Sequence, residues 1–199
     1  MTKFLSFTPD ARRIAEADSV AVIGLGRFGT SLALELMSSG TEVLGIDADE
    51  DIVQSLNGEL TQVVRADSTR LDVLRQLAVG EFDRVVLAIG NDITASILTA
   101  SLLLQLQVPV IWAKAVDEQH GAVLEQLGVH RVIYPEKDMG RRVAHLVRDA
   151  AADYLEIDRG YAIVKTVAPR HLQGITLREA AVRSTHGITV AAYRPEDRK

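Results

Sequence analysis

The stretch Val20-Ala21-Val22-Ile23-Gly24-Leu25-Gly26-Arg27-Phe28-Gly29 decides the fold. An apolar, β-branched run ends in a GxGxxG turn, and helical spacing of apolar positions begins directly after it. In such a unit Gly24 permits the tight turn, Gly26 lets a pyrophosphate approach the backbone, and Gly29 lets helix and strand pack closely. The helix N-terminus supplies N–H groups without acceptors and the positive end of a dipole. The next β-run, Glu42–Asp47, ends in a carboxylate. Asp47 there can accept both hydrogens of a ribose diol and disfavours a 2′-phosphate, and so NADP. The competing reading is a packing turn followed by a surface aspartate.

Working outward, β-runs at Val20–Gly24, Glu42–Asp47, Thr61–Ala66, Asp83–Gly90, Pro109–Lys114 and His130–Tyr134 alternate with amphipathic segments. Those segments lie near Arg27–Ser39, Asp49–Leu56, Arg70–Ala78, Ile93–Gln107 and Asp117–Leu127. Strands separated by helices require right-handed crossovers and a parallel sheet. VAVIG and RVVLAIG are apolar on both faces, as strands covered by helices on both sides must be. The expectation is an α/β chain: a doubly wound six-stranded parallel sheet of Rossmann type over residues 19–135, preceded by a solvated tail, 1–18. A crossover helix is expected over 136–154, with apolar positions at Met139, Val143, Leu146, Val147 and Ala150. A small, incomplete α+β lobe, 155–199, follows, with strands at Tyr161–Val167 and Gly187–Ala192 around a helix at Leu177–Val182. So short a lobe has too little interior to bury itself and must pack on its own first domain, a second copy or another protein.

Composition narrows the classes. At 199 residues, 47% hydrophobic and 25% charged, the chain is neither disordered nor low in complexity. A net charge of -5 leaves no general basic field for nucleic acid. With no cysteine, disulfides, thiolate nucleophiles and thiolate metal sites are excluded. Ile93 to Leu106 is too short and too rich in Thr, Ser and Gln to span a bilayer. The first residues have no signal-peptide core, so a cytoplasmic location is expected, without membrane insertion.

Arg27 can fold over the phosphates and grip a terminal one in bidentate fashion, or stand as a solvated first-turn arginine. Phe28 lies beside it on the same turn. Asp67 and Ser68, after the third strand, fall on the adenine side, although Asp67 could equally cap the next helix. A dehydrogenase would also need an acid–base pair. Tyr161 and Lys165 have the YxxxK spacing of short-chain reductases, which bring the two together on a helix, about 6 Å apart along its axis. Here YAIVKTV alternates like a strand, which separates them by about 13 Å. His120, His130, His145, His171 and His186 are scattered and read as solvated. No catalytic residue is assigned, and an NAD-dependent oxidoreductase is the runner-up.

VIGLGRFG, EVLGIDADE, RVVLAIGNDITAS, VIWAKA and VIYPEKDMG together resemble the regulatory subunits of Ktr/Trk-type potassium uptake systems, over about Val20 to Val147. These are built from an RCK (regulator of potassium conductance) domain with an N-terminal TrkA-N unit, and the Ktr type is the nearer. The resemblance implies a non-catalytic, ATP- or ADP-binding domain, with NAD or NADH as the other nucleotide. It implies dimers within an octameric ring, on the cytoplasmic face of a membrane potassium channel subunit. Gly24, Gly26, Arg27 and Gly29 match the phosphate loop, Asp47 the ribose carboxylate, and Asp67 the adenine-side turn. Ile89 and Gly90 would line the cleft. Glu136 matches a carboxylate that helps hold a divalent cation such as magnesium at the dimer seam, or is a first-turn glutamate favoured by its helix dipole. Lys114 ends the fifth strand with no role assigned. In some members the C-terminal lobe binds cyclic di-AMP; Ile175–Gly187 with Arg183 is faintly similar, but the family's lobe extends beyond the point matched by Arg194. A solitary sensor without a channel is the remaining alternative.

Overall fold

The structure is a computed structural model that describes residues 19–149, 153–158 and 161–194; the expected tail, 1–18, lies outside them. Two compact units divide between Asp138 and Met139.

The first unit contains β1 (Ser19–Ile23), α1 (Arg27–Ser38), β2 (Glu42–Asp47), α2 (Glu50–Ser55), β3 (Gln62–Arg65), α3 (Leu71–Gln76), β4 (Arg84–Leu87), α4 (Ile93–Gln105), β5 (Val110–Lys114), α5 (Glu118–Leu127) and β6 (Arg131–Ile133), and the start of α6 (Pro135–Asp149). All six strands pair in parallel, in the order β3-β2-β1-β4-β5-β6. The order reverses between β1 and β4, so the crevice beyond their C-terminal ends is where such sheets take ligands.

Alternation along β1 shows why VAVIG must be apolar throughout. Ala21 and Ile23 enter one core with Leu44, Ile46, Val85 and Leu87. Val20 and Val22 enter another with Leu25, Ala33 and Val43. Burying each large aliphatic side chain contributes about 1.5–3 kcal/mol. Gly45 makes room on β2: a Cβ there would come within 2.7 Å of Leu60 and 3.0 Å of Leu25. Asp49, Asp92 and Asp117 cap α2, α4 and α5 through their carboxylates. On β5 only one face is covered among the described residues: Ile111 and Ala113 are buried, while Val110 and Trp112 remain 36% and 39% exposed.

The second unit departs from the sequence reading in three places. The helix expected over 136–154 is described as far as Asp149, and Ala150 lies outside the described residues. Asp153 and Tyr154 instead belong to β7 (Asp153–Asp158), where they pair with Lys165 and Val164 of β8 (Tyr161–Lys165). The expected helix at Leu177–Val182 is broken by Ala181, at φ 43°, into α7 (Leu177–Ala180) and α8 (Val182–His186). A Thr176–Glu179 capping box starts α7. The expected strand at Gly187–Ala192 is not formed. A strand needs a ladder partner, and among the described residues β7 and β8 pair only with each other. Tyr161 and Lys165 do lie on a strand, so the reductase spacing has no helix to act on.

Candidate functional site

The three glycines of the turn do different work. Gly24 has φ +89°, and a Cβ on it would lie 2.8 Å from the Ile89 amide nitrogen. Its own N–H donates to the Ile46 carbonyl, and Ala88 N–H donates to Ile23 O, so the turn is laced to both neighbouring strands. Gly29 packs directly on the Gly24 carbonyl, and a Cβ would collide with it. Gly26 is different. At φ -63° and ψ -171° its backbone suits any residue, and a Cβ would meet nothing within 4 Å. The fold itself makes no demand for glycine at this position.

Gly26 is also the N-cap of α1, which has neither a side-chain cap nor an acid in its first turn. Its first N–H groups therefore point outward without a helical acceptor, at the positive end of twelve aligned peptide residues. Asp47 braces this loop. Its Oδ2 accepts from Leu25 N–H at 2.6 Å and its Oδ1 from Asp49 N–H at 2.9 Å. A carboxylate keeps further lone pairs beyond these two, enough for a ribose hydroxyl.

On the far side of β2, Ala48, Arg65, Ala66 and Asp67 line an open groove. Asp67 does not cap α3, whose N-cap is Arg70. It closes a turn on itself by accepting from Thr69 N–H at 2.9 Å and Thr69 Oγ1–H at 2.6 Å. The Thr69 hydroxyl first, then the Thr69 amide, hold its carboxyl below the usual range. Ser68 turns inward: it is 7% exposed and shares a 3.0 Å hydrogen bond with Thr99, so of the pair Asp67 and Ser68 it is Asp67 that lines the groove.

Beyond the ends of β4 and β5 the structure gathers Gly90, Phe28 and Glu136 around a residue with no role in the sequence reading, Lys114, while Ile89 lies against Gly24. Its side chain is 12% exposed, and Nζ donates to Glu136 Oε1 at 2.5 Å. Nζ also stands 5.9 Å from the Phe28 ring centroid. The Lys114 hydrogen bond, opposed by burial and reinforced at longer range by the charge of Arg27, holds the Glu136 carboxyl below the usual range. Arg27 is exposed and makes no hydrogen bond or ion pair among the described residues. One chain does not by itself furnish a cation cage here. Its Glu136 carboxylate is taken by an ammonium, and no group of three His, Cys, Asp or Glu converges among the described residues. The only signal that could have found Lys114 is a charge closing an otherwise apolar strand, VIWAK.

His120, expected in solvent, is 3% exposed. Its Nδ1 accepts from Val116 N–H at 3.4 Å, and burial, partly offset by Asp117, lowers its pKa. His130, His171 and His186 are exposed as expected.

Residues 20–135 match the TrkA-N domain family. The Ktr system potassium uptake protein C of Bacillus subtilis is 41% identical over 175 residues, which cover 87% of this chain and 79% of that protein. Among solved structures, the GsuK channel bound to NAD superposes with a TM-score of 0.65 at 18% identity, over 85% of this chain and 31% of that one. GsuK bound to ADP superposes with a TM-score of 0.56 at 16% identity, over 84% and 52%. At these identities the structural likeness establishes the fold, and the family follows from the sequence matches. The chain belongs to the TrkA-N domain family, in its Ktr potassium uptake branch.

Proposed function

We propose that this chain is a nucleotide-sensing regulatory subunit that gates a membrane potassium channel or transporter from the cytoplasm, and that it is not an enzyme. The observation that carries the reading is Gly26: a glycine that the fold does not need, at an uncapped helix N-terminus, keeps clear the space a phosphate would fill. The adenosine would extend over Asp47 towards the groove at Asp67, with Ile89 and Gly90 forming the opposite wall. ATP and ADP are the proposed ligands, and GsuK, which shares the fold, has been solved with ADP and with NAD.

In this reading two chains pair, and the dimers close into an octameric ring against the membrane partner. Met139, Val143 and Val147 recur along α6 and are 54%, 46% and 80% exposed, an apolar stripe suited to a second copy. A nucleotide can shift such an assembly only by the difference in its affinity for two shapes. Arg27, exposed and uncommitted, is the group placed to tell a terminal phosphate from its absence. Arg27→Ala is therefore expected to narrow the ratio of ATP to ADP affinity by about tenfold, within the range typical of allosteric coupling. ADP binding should stay nearly unchanged. Calorimetric titration of the variant with each nucleotide checks this, and an equal loss for both would make Arg27 a general phosphate contact.

A further inference from the structure

We propose that Lys114 is a phosphate ligand of the nucleotide site and that Glu136 is its positioning residue. The proposal rests on the nucleotide reading above.

Three observations lead to it. First, Lys114 is a lysine whose side chain is only 12% exposed, at the C-terminal end of a strand beside the topological switch point. Withdrawing an ammonium from water is costly unless its charge and all three of its N–H groups are served. Glu136 serves one of them, and no other hydrogen bond to Nζ is made among the described residues. Second, the surroundings fix where the ammonium sits. A Cβ on Gly90, in the loop after β4, would lie 3.1 Å from Nζ and 3.3 Å from Cε, so glycine there leaves room for the end of the lysine. On the turn side it meets the Phe28 ring, in the first turn of α1. Third, Glu136 is itself 66% exposed and needs no partner for its own solvation. The pair makes sense as a means of holding Lys114.

The ammonium thus stands between the end of β4, the uncapped start of α1 and the start of α6. A nucleotide's first phosphate on the α1 N–H groups would direct its further phosphates to this corner. There the two remaining N–H groups of Nζ can donate to them. Glu136 then keeps the lysine extended.

The test is calorimetric titration of the full chain with ATP, ADP and AMP in the presence of EDTA, so that no effect runs through a divalent cation. Lys114→Met, close in shape but neutral, is expected to weaken ATP and ADP binding about ten- to a hundredfold, the worth of a charge-assisted hydrogen bond. AMP should change little, and Lys114→Arg should recover part of the loss. Glu136→Gln is expected to weaken ATP binding too, although it removes a negative charge from beside the phosphates. Thermal melts without nucleotide confirm that each variant is folded. Unchanged ATP affinity in Lys114→Met overturns the proposal, and so does an equal loss for AMP, which would mark a structural role. Tighter ATP binding by Glu136→Gln overturns the positioning role. If the unsubstituted chain binds none of the three nucleotides, the nucleotide reading itself falls, a result distinct from a silent Lys114.

Discussion

Gly26→Val is expected to abolish binding of ATP and ADP while the chain still folds. Valine accepts φ -63° and ψ -171° without strain, and its Cβ would meet nothing within 4 Å. The new methyl groups would stand in the space in front of the first N–H groups of α1, where phosphate oxygens would accept. Losing two or more charge-assisted hydrogen bonds corresponds to at least about a hundredfold in affinity. The cost to the fold is the poorer N-cap, about 1 kcal/mol, or a few degrees in melting temperature. Calorimetry with both nucleotides and a melt without them check the two halves. Wild-type affinity in this variant would place the nucleotide elsewhere.

Gly29→Ala should do the reverse and damage the fold. Inside a helix, alanine normally stabilises by up to about 1 kcal/mol relative to glycine. Here that gain is overwhelmed, because the added Cβ would collide with the Gly24 carbonyl oxygen and lie 3.0 Å from its carbon. Ala88 Cβ, 3.3 Å away, blocks retreat in another direction. The obstacle is backbone already fixed by hydrogen bonds to β2, so no flexible side chain can yield. A loss of about 3 kcal/mol or more is expected, which for a domain of this size is a fall of roughly 10 °C. Denaturant or thermal melting without ligand checks it. A wild-type melt would mean that α1 does not press on the turn as described.

The contrast between these glycines shows what can be read in a sequence. The GxGxxG spacing marked all three, but only the packed backbone separates the two that the fold requires from the one it does not. Strand and helix positions in the first unit were legible because β1 and the interiors of β2 and β4 are buried on both faces and apolar there, while aspartate caps mark three helix starts. The second unit was less legible. Gly187–Ala192 alternates as a strand does, yet alternation cannot supply a ladder partner. Asp153 and Tyr154 continue a helical pattern but are captured by β8.

At the site, Asp47 was readable as a carboxylate at a strand end; its grip on Leu25 N–H was not, because that contact depends on how the loop folds back. Ser68 shares a motif with Asp67, but a buried partner on α4 takes it away from the groove. The role of Lys114 was unreadable for the same reason. Its meaning lies in Gly90, Phe28 and Glu136, which come from three other parts of the chain.

The central claim is that this chain reads the phosphates of an adenine nucleotide and does no chemistry on it. Titration of the unsubstituted chain with ATP, ADP, NAD and NADH tests it most directly. The account predicts affinities of about micromolar or tighter for ATP and ADP, unequal to each other, with no turnover of any of the four. Binding of NADH alone, with oxidation of NADH or reduction of NAD by a small hydroxy acid, would contradict it.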